Sequence, residues 1–411
     1  MYDIIMFSLF RWESEYSSIS LALAKEFAKQ HRVFYINHPY SYKDFYADTN
    51  KSTHDVIQRR KKGLLAGKVQ YEIVETYNEN NEIVCVIPPM TIPINWLPKG
   101  KLYNSFQRKN NQVIINTIHQ IIKDYNIRNF VYYNCYNPLF LGYLPPSDGL
   151  MLNVYHCVDD TSQNTYMQKH AFDIENDALA NTDLPLVTSS ELKRIKSVYS
   201  DKIQILANGA DTTLFQKSVS ENFPRPPELE NVTGKIIGFT GNLDSQRIDY
   251  KLLKKIALHH PDKTLLLVGP VNNTEYKTIG LDALPNVIFA GAKKIEELPP
   301  YLKYCDCCII PFLCNTLTKS IYPLKINEYL AAGKSVVSTN FSEDISSFKP
   351  YIYLVENHTE FINKINAAIA EYSPEKIATR IDVAKTNAWA HRIEHFHTLV
   401  NTFKQNKHAS N

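Results

Sequence analysis

Short apolar runs alternate along this chain with longer stretches whose apolar residues recur every three or four positions. Residues 2–9 (YDIIMFSL) form a run of strand length. Residues 17–30 (SSISLALAKEFAKQ) carry apolar positions at helical spacing behind serines that can cap a helix, and residues 32–37 (RVFYIN) return as a strand. A strand–helix–strand unit of this kind builds parallel sheet. The rhythm continues with a helix over 112–124, strands over 129–134, 151–156 and 185–188, and a helix over 189–198. Residues 216–234 (QKSVSENFPRPPELENVTG) break it, with three prolines and no apolar period, and read as a linker. A second rhythm follows, with strands over 235–240, 263–268, 286–290, 305–310 and 334–338. Helices are expected over 248–258, 295–303, 323–332 and 358–371, and residues 375–405 are mostly helical in pattern.

The pattern predicts an α/β chain of two doubly wound domains. The first covers residues 1–215, the linker 216–234, the second 235–380, and residues 381–411 add a closing helical segment. A length of 411 residues suits two or three domains with their own cores. Ligands of open parallel sheets bind beyond the carboxyl ends of the strands, so functional residues are expected in the loops after strands, facing a cleft between the domains. Residues 51–110 lack a clean period and read as an insertion with ten Lys/Arg against five Asp/Glu. Its clusters Arg59–Lys62 with Leu64, Leu65 and Lys68, and Trp96 and Leu97 with Lys99 and Lys101, suit an anionic membrane surface. A solvated mobile loop is the alternative.

Composition narrows the function classes. A net charge of +3 is too balanced for a dedicated nucleic-acid binder. Only 13 glycines are present, and neither of the standard glycine-rich phosphate loops occurs. The N-terminal apolar stretch lacks a basic leader and breaks at Arg11, so no secretory signal is expected. No apolar run reaches the length of a membrane span. Seven cysteines, several in strand-like text (Cys85, Cys135, Cys157), read as reduced thiols of a cytoplasmic protein.

The segment 318–338 (TKSIYPLKINEYLAAGKSVVS) is the most informative. Pro323 suits the first position of a helix, where its missing N–H costs nothing. The loop before it presents Lys319 and Ser320, and the helix start offers free amides and a dipole to an anion. Lys325 adds a full charge in the first turn. Glu328, three residues on, can accept hydrogen bonds from a vicinal diol such as a ribose. Together these make a site for a nucleotide diphosphate. An ordinary capped helix with a surface Lys–Glu pair fits the spacing equally.

The run Y-P-L-K-x-x-E-Y-L-A-A-G-K-x-V-V-S-T resembles the donor-site motif of GT-B glycosyltransferases of group 1 (GT4-like). L-A-N-G-A-D (206–211), G-F-T-G-N-L-D-S-Q-R-I-D (238–249), L-L-L-V-G-P (265–270), L-P-N-V-I-F-A-G (284–291) and C-D-C-C-I-I-P-F (305–312) match in the same order. The chain is similar to bacterial polysaccharide transferases of the teichuronic-acid and xanthan glucuronosyltransferase kind. The resemblance implies a GT-B fold, with two Rossmann-like domains facing a central cleft and a C-terminal helix returning to the N-terminal domain. It implies that Gly241, Asn242 and Gly269 let backbone approach the donor, that Arg247 and Lys325 bind phosphate, and that Ala292 and Lys293 meet the nucleobase. Lys319, Ser320, Tyr322, Pro323 and Leu324 surround the phosphates. Glu328 matches the second glutamate of the family's E-x7-E signature. The first would fall at Ser320, a departure that leaves the sugar contacts and the stereochemical outcome open.

Y-H-C-V-D-D-T-S (155–162) follows a strand of the first domain. Paired carboxylates beside a histidine suit a general base, because a like neighbouring charge raises one pKa. Asp159 or Asp160 is the preferred base and His156 the second choice; an aspartate N-cap is the structural alternative. The resemblance agrees, since an aspartate in a similar V-x-D-D context looks like the base in those transferases. Arg11 and Trp12 follow the first strand, and Trp12 could stack on an acceptor sugar or cover the core.

Three further strings are set aside. His391-x-x-Glu394-His395 spells a zinc-peptidase motif but lies at the end of the chain. Cys305-x-x-Cys308 has no second pair. Asp173, Glu175 and Asp177 (D-x-E-x-D) diverge in direction on a helix. With no convincing D-x-D at a strand end, the phosphates are expected to be balanced by Arg and Lys without a metal.

The resulting expectation is a sugar transferase acting in cell-surface polysaccharide synthesis. Its co-substrate would be a UDP- or GDP-linked sugar, and its acceptor a glycan or a lipid-linked glycan. It would be cytoplasmic, peripheral on the inner face of the cytoplasmic membrane, with no nucleic-acid partner. A nucleotide-sugar 2-epimerase and a non-catalytic sugar-nucleotide or glycan-binding subunit are the alternatives.

Overall fold

The computed structural model describes residues 2–13, 18–47, 51–163, 167 and 169–409. The chain divides into two compact units. One comprises Met1–Thr188, Leu192–Leu206 and His395–Asn411, and the other Ser189–Glu191 and Ala207–Glu394.

The first unit is built on eight strands: β1 (Asp3–Ser8), β2 (Val33–Ile36), β3 (Gln70–Thr76), β4 (Glu82–Ile87), β5 (Phe130–Cys135), β6 (Leu150–Cys157), β7 (Leu184–Val187) and β8 (Gln204–Ile205). Their order is β3-β4-β2-β1-β5-β6-β7-β8, and every pair is parallel except β3 with β4. Ile4 is in register with Val33 on one side and Val131 on the other, so the chain reverses its direction of travel at β1. The first crossover helix, Ile19–Ala28, is capped by Ser18, whose Oγ accepts from the Leu21 N–H, and it buries Leu23, Ala24, Phe27 and Ala28. Ser17, where the expected helix begins, lies outside the described residues.

The expected insertion over 51–110 is largely core structure. β4 (EIVCVI) lies inside the sheet between β2 and β3, with Ile83 in register with Val33 and residues Ile83–Ile87 buried. Its continuous apolar run is the signature of a strand covered on both faces, but the basic residues around it dominate a window read for charge. Residues Lys51–Leu65 form an amphipathic helix that buries Val56, Ile57 and Leu64 and exposes Arg59, Lys61, Lys62 and Leu65. The helix expected over 112–124 starts at Lys101 and buries Tyr103, Asn110, Ile114, Thr117, Ile118 and Ile121 along one face.

The second unit carries six parallel strands: β9 (Lys235–Thr240), β10 (Lys263–Val268), β11 (Val287–Gly291), β12 (Cys307–Ile310), β13 (Val336–Thr339) and β14 (Tyr353–Val355), in the order β11-β10-β9-β12-β13-β14. β9 and β10 fall where the apolar runs place them. β14, only three residues long, is not legible from pattern. The expected linker also belongs to this unit. Thr212–Ser220 is a helix capped by Asp211, and Phe215 and Leu229 lie in the core. Arg225 pins the proline-rich stretch by donating to the carbonyls of Leu229 (2.7 Å) and Val232 (2.6 Å). Prolines here shape an extended strap rather than a free connection.

The last helix, Trp389–Ala409, ends in the first unit. There Phe396 packs on Phe27 (ring centroids 5.1 Å) and Tyr133 (5.5 Å), and His397 Nδ1 lies 3.1 Å from the Tyr2 hydroxyl. Among the described residues no helix is long and apolar enough to cross a membrane.

The placement of β4 gives a direct prediction. Ile83→Ala should destabilise the protein by about 2–5 kcal/mol, the cost of a core cavity. The midpoint of urea unfolding measures it. A change below about 0.5 kcal/mol, typical of surface positions, would return residues 70–87 to the status of an insertion.

Candidate functional site

In the second sheet the strand order reverses between β9 and β12, the position where α/β sheets bind ligands. Glycines line this edge. Gly241 follows β9 (φ 137°), Gly269 follows β10 (φ 150°) and Gly291 ends β11. The Gly241 N–H donates to the Val268 carbonyl at 2.8 Å, and the Gly269 N–H to the Gly291 carbonyl at 2.8 Å. A Cβ on Gly269 would stand 1.9 Å from the Gly241 carbonyl oxygen, so no other residue allows this approach. A Cβ on Gly241 would stand 2.3 Å from Lys325 Cε and 2.5 Å from Nζ. The space left by that missing side chain is occupied by the lysine.

Lys325 lies in the first turn of the helix Leu324–Ala331, and Glu328 is buried one turn later. Burial pulls the Lys325 pKa down, with Arg247 acting in the same direction and Glu328 opposing. Burial pushes the Glu328 pKa up, opposed by Lys325. Among the described residues neither head group has a protein hydrogen bond or a close ion-pair partner. A half-buried ammonium and a buried carboxylate therefore keep their hydrogen-bonding capacity, an arrangement common at functional sites. Arg247 adds a third group. Among the described residues its Nε is buried without a hydrogen-bond partner, and a carboxylate oxygen of Asp244 lies 3.8 Å away.

The helix start differs from the expectation. Pro323 is the capping residue and Leu324 the first helical one. The Leu324 N–H donates to the Tyr322 carbonyl at 2.8 Å and the Ile326 N–H to the Pro323 carbonyl at 3.1 Å. Among the described residues the Lys325 N–H has no such partner.

Other expected donor residues are engaged elsewhere. Lys319 lies 3.4 Å from a Glu191 oxygen. Ser320 is buried; its Oγ donates to the Leu317 carbonyl (2.8 Å), and its own carbonyl accepts from Ser189 Oγ (2.7 Å). The Tyr322 hydroxyl is held by Asn327, Asn387 and Arg392. Lys293 Nζ donates to Glu228 at 2.9 Å, and Tyr301 donates to the other oxygen of the same carboxylate. Asn242 and Ala292 are exposed at the strand ends.

In the first unit the sequence order reverses between β1 and β5, and Asn137 bridges that point by donating from Nδ2 to the Ser8 carbonyl at 2.9 Å. The Asp159–Asp160 turn follows β6, the next strand. Asp160 is buried, and its Oδ1 accepts from the Ser162 N–H at 3.0 Å. Asp159 is half-buried, and its carbonyl accepts from Cys157 Sγ.

Both ring nitrogens of His156 have partners. The Leu206 carbonyl, 3.1 Å from Nε2, can only accept, which fixes the proton on Nε2. Nδ1 then accepts from the Tyr133 hydroxyl at 2.9 Å. Burial lowers its pKa to about 4. Arg11 holds the loop after β2, donating to the carbonyls of His38 (3.0 Å) and Pro39 (3.3 Å) and lying over the Tyr40 ring. Trp12 packs edge-on against Tyr35 (5.3 Å) as part of a core cluster.

Tyr136 escaped the sequence pattern. It follows β5 with φ 54°, a strained conformation for a bulky residue. Burial raises its hydroxyl pKa, and Asp159 adds to the rise. Among the described residues no three His, Cys, Asp or Glu side chains gather as a metal site would require. His391 instead faces Glu394 on an exposed helix surface at 3.0 Å.

Residues 234–371 match the family model described as glycosyl transferases group 1. TuaH of Bacillus subtilis (strain 168), named for a glycosyltransferase role in teichuronic acid biosynthesis, is 32% identical over 194 residues. That match covers 46% of this chain and 48% of TuaH, so the chain spans about half the length of this curated relative. Among solved structures, a sucrose-phosphate synthase from Thermosynechococcus elongatus superposes with a TM-score of 0.65 at 14% identity, covering 99% of this chain and 100% of its own. An α,α-trehalose-phosphate synthase from Burkholderia xenovorans gives 0.66 at 10% identity, covering 97% and 100%. The chain has the GT-B fold of these synthases, and its segment 234–371 matches the group 1 glycosyltransferase model.

Proposed function

We propose that this protein transfers a sugar from a nucleotide-diphosphate sugar to a hydroxyl of a glycan or lipid-linked acceptor in cell-surface polysaccharide synthesis. The observation that carries the reading is the pair Lys325 and Glu328. They are two oppositely charged head groups, Glu328 buried and Lys325 half-buried, without hydrogen bonds to any described residue, at the switch point of a sheet whose edge is opened by glycines. A structural ion pair would be closed on itself, whereas this one offers a cation to a diphosphate and a carboxylate to a ribose diol.

In this mechanism Lys325, its N–H and Arg247 neutralise the diphosphate as the bond from the anomeric carbon to the phosphate oxygen breaks. Glu328 orients the ribose. Asp159 or Asp160 takes the proton from the attacking acceptor hydroxyl. Lys293 and Lys319, each facing a carboxylate, contribute less than the sequence suggests. The basic face of the helix Lys51–Leu65, with exposed Trp96, supports a lipid-linked acceptor met at the inner face of the cytoplasmic membrane. No step in this mechanism calls on a metal.

A panel of UDP-, GDP-, ADP- and dTDP-sugars in a thermal-shift assay tests the donor site, since stabilisation follows RT ln(1 + [L]/Kd). At least one nucleotide sugar should raise the melting temperature. Lys325→Met should weaken its binding about 10- to 100-fold, the worth of a charge-assisted hydrogen bond. It should leave the ligand-free protein as stable as before or more so, because a half-buried ammonium with no hydrogen-bond partner among the described residues is removed. Unchanged donor binding in Lys325→Met would take this residue out of the site.

Replacing both aspartates, Asp159→Asn with Asp160→Asn, should lower sugar transfer at least about 100-fold with the donor still bound. Isomerised donor formed without acceptor would mark a 2-epimerase instead.

The histidine assignment is tested by pH. A folded-state pKa of about 4 against 6.5 unfolded means the native state resists a proton that the unfolded chain accepts. The stabilisation is complete above about pH 6.5 and is lost as pH falls toward 4. His38, lowered to about 3 by burial and Arg11, acts in the same sense. His156→Gln should flatten part of this acid dependence in urea unfolding. An unaltered pH profile would contradict the neutral, buried imidazole.

A further inference from the structure

Glu175, the middle acid of the D-x-E-x-D string, does what its neighbours do not. Asp173 reaches Lys99 at the surface, and Asp177 accepts from Asn181 Nδ2 at 2.9 Å. Glu175 is fully buried, and its carboxylate meets the segment carrying Asp159 and Asp160 at both ends. The Tyr155 hydroxyl donates to Oε1 at 3.3 Å from within β6, and Thr161 Oγ1 donates to Oε2 at 2.7 Å immediately after the turn. Lys196, also buried, closes the arrangement with Nζ 2.6 Å from Oε2 and 3.5 Å from Asn176 Oδ1.

Stability alone is a weak reason for such a pair. Desolvating both ions is costly, and apolar residues of similar volume commonly serve as well. A fully hydrogen-bonded carboxylate does, however, fix the segment whose side chains are bound to it. This one spans seven residues, from Tyr155 to Thr161, with the two aspartates between.

We propose that Glu175 is a positioning residue for the transfer reaction: through Thr161 and Tyr155 it clamps the Asp159–Asp160 turn in the conformation that receives the acceptor's proton, and Lys196 holds the clamp in place. This rests on the reading of that turn as the general base. Glu175 itself touches no substrate.

Thr161→Val removes one arm of the clamp while leaving the buried ion pair intact. It is assayed by nucleotide release from whichever of the UDP-, GDP-, ADP- or dTDP-sugars gives the largest thermal shift, and by hydrogen exchange of the amides over 158–163. The expected result is a kcat about tenfold lower, a donor KM within about twofold of wild type and exchange about tenfold faster over 158–163, with the melting temperature little changed. Thr161→Ser, which keeps the hydroxyl, should restore both readouts. Glu175→Gln should lower kcat further; if it does not fold, the threonine pair carries the test. Wild-type kcat in Thr161→Val, or slower turnover with unchanged exchange over 158–163, overturns the proposal. Asp159→Asn with Asp160→Asn is measured alongside. Wild-type turnover there would defeat the base reading itself, and the exchange data would then decide alone whether Glu175 holds the turn.

Discussion

The Lys325 side chain fills the space that Gly241 leaves by having none, and the candidate site is organised around that one packing arrangement. Gly269 must be a glycine for the β10 end to pass the Gly241 carbonyl, and Gly241 must be one for the ammonium to reach the strand end. The helix Leu324–Ala331 then brings Glu328 into the same enclosure. Burial depresses the lysine and raises the carboxylate, so each ion resists its charged form until something charged or polar arrives. An arrangement that costs stability when empty is what a ligand site requires and what a purely structural helix would avoid.

The first unit shows the opposite economy. Its polar groups near the strand ends are closed on one another: His156 between Tyr133 and Leu206, Arg11 on the loop after β2, and Glu175 among Lys196, Thr161 and Tyr155. These networks fix loops. The strained Tyr136 and the Asp159–Asp160 turn sit where that rigidity is delivered. A base must be held before it can act on a transient hydroxyl, whereas a diphosphate brings its own charge to the groups that hold it.

Much of this was legible in the residues. The alternation of apolar runs and helical periods located β1, β2, β5, β6, β9 and β10, and the run from Pro323 to Gly333 marked the helix bearing Lys325 and Glu328. The strand β4 was hidden because the surrounding basic residues drew attention away from EIVCVI. The prolines near 224–227 suggested a free linker because a single sequence does not reveal that Arg225 ties the strap down. Which charged residues stay unpaired is a tertiary property. Lys293 and Lys319 look as available as Lys325 in the sequence, and only folding brings Glu228 and Glu191 to the first two. The role of Glu175 was hidden for the same reason, since its partners lie fourteen to twenty-one residues away along the chain.

The central claim is that the Lys325–Glu328 enclosure holds a nucleotide diphosphate. A crystal structure determined with a nucleoside diphosphate tests it most directly. The account predicts phosphate oxygens within hydrogen-bonding distance of the Lys325 ammonium and its backbone N–H, with the ribose hydroxyls at Glu328. A well-ordered nucleotide bound away from these two residues would contradict it.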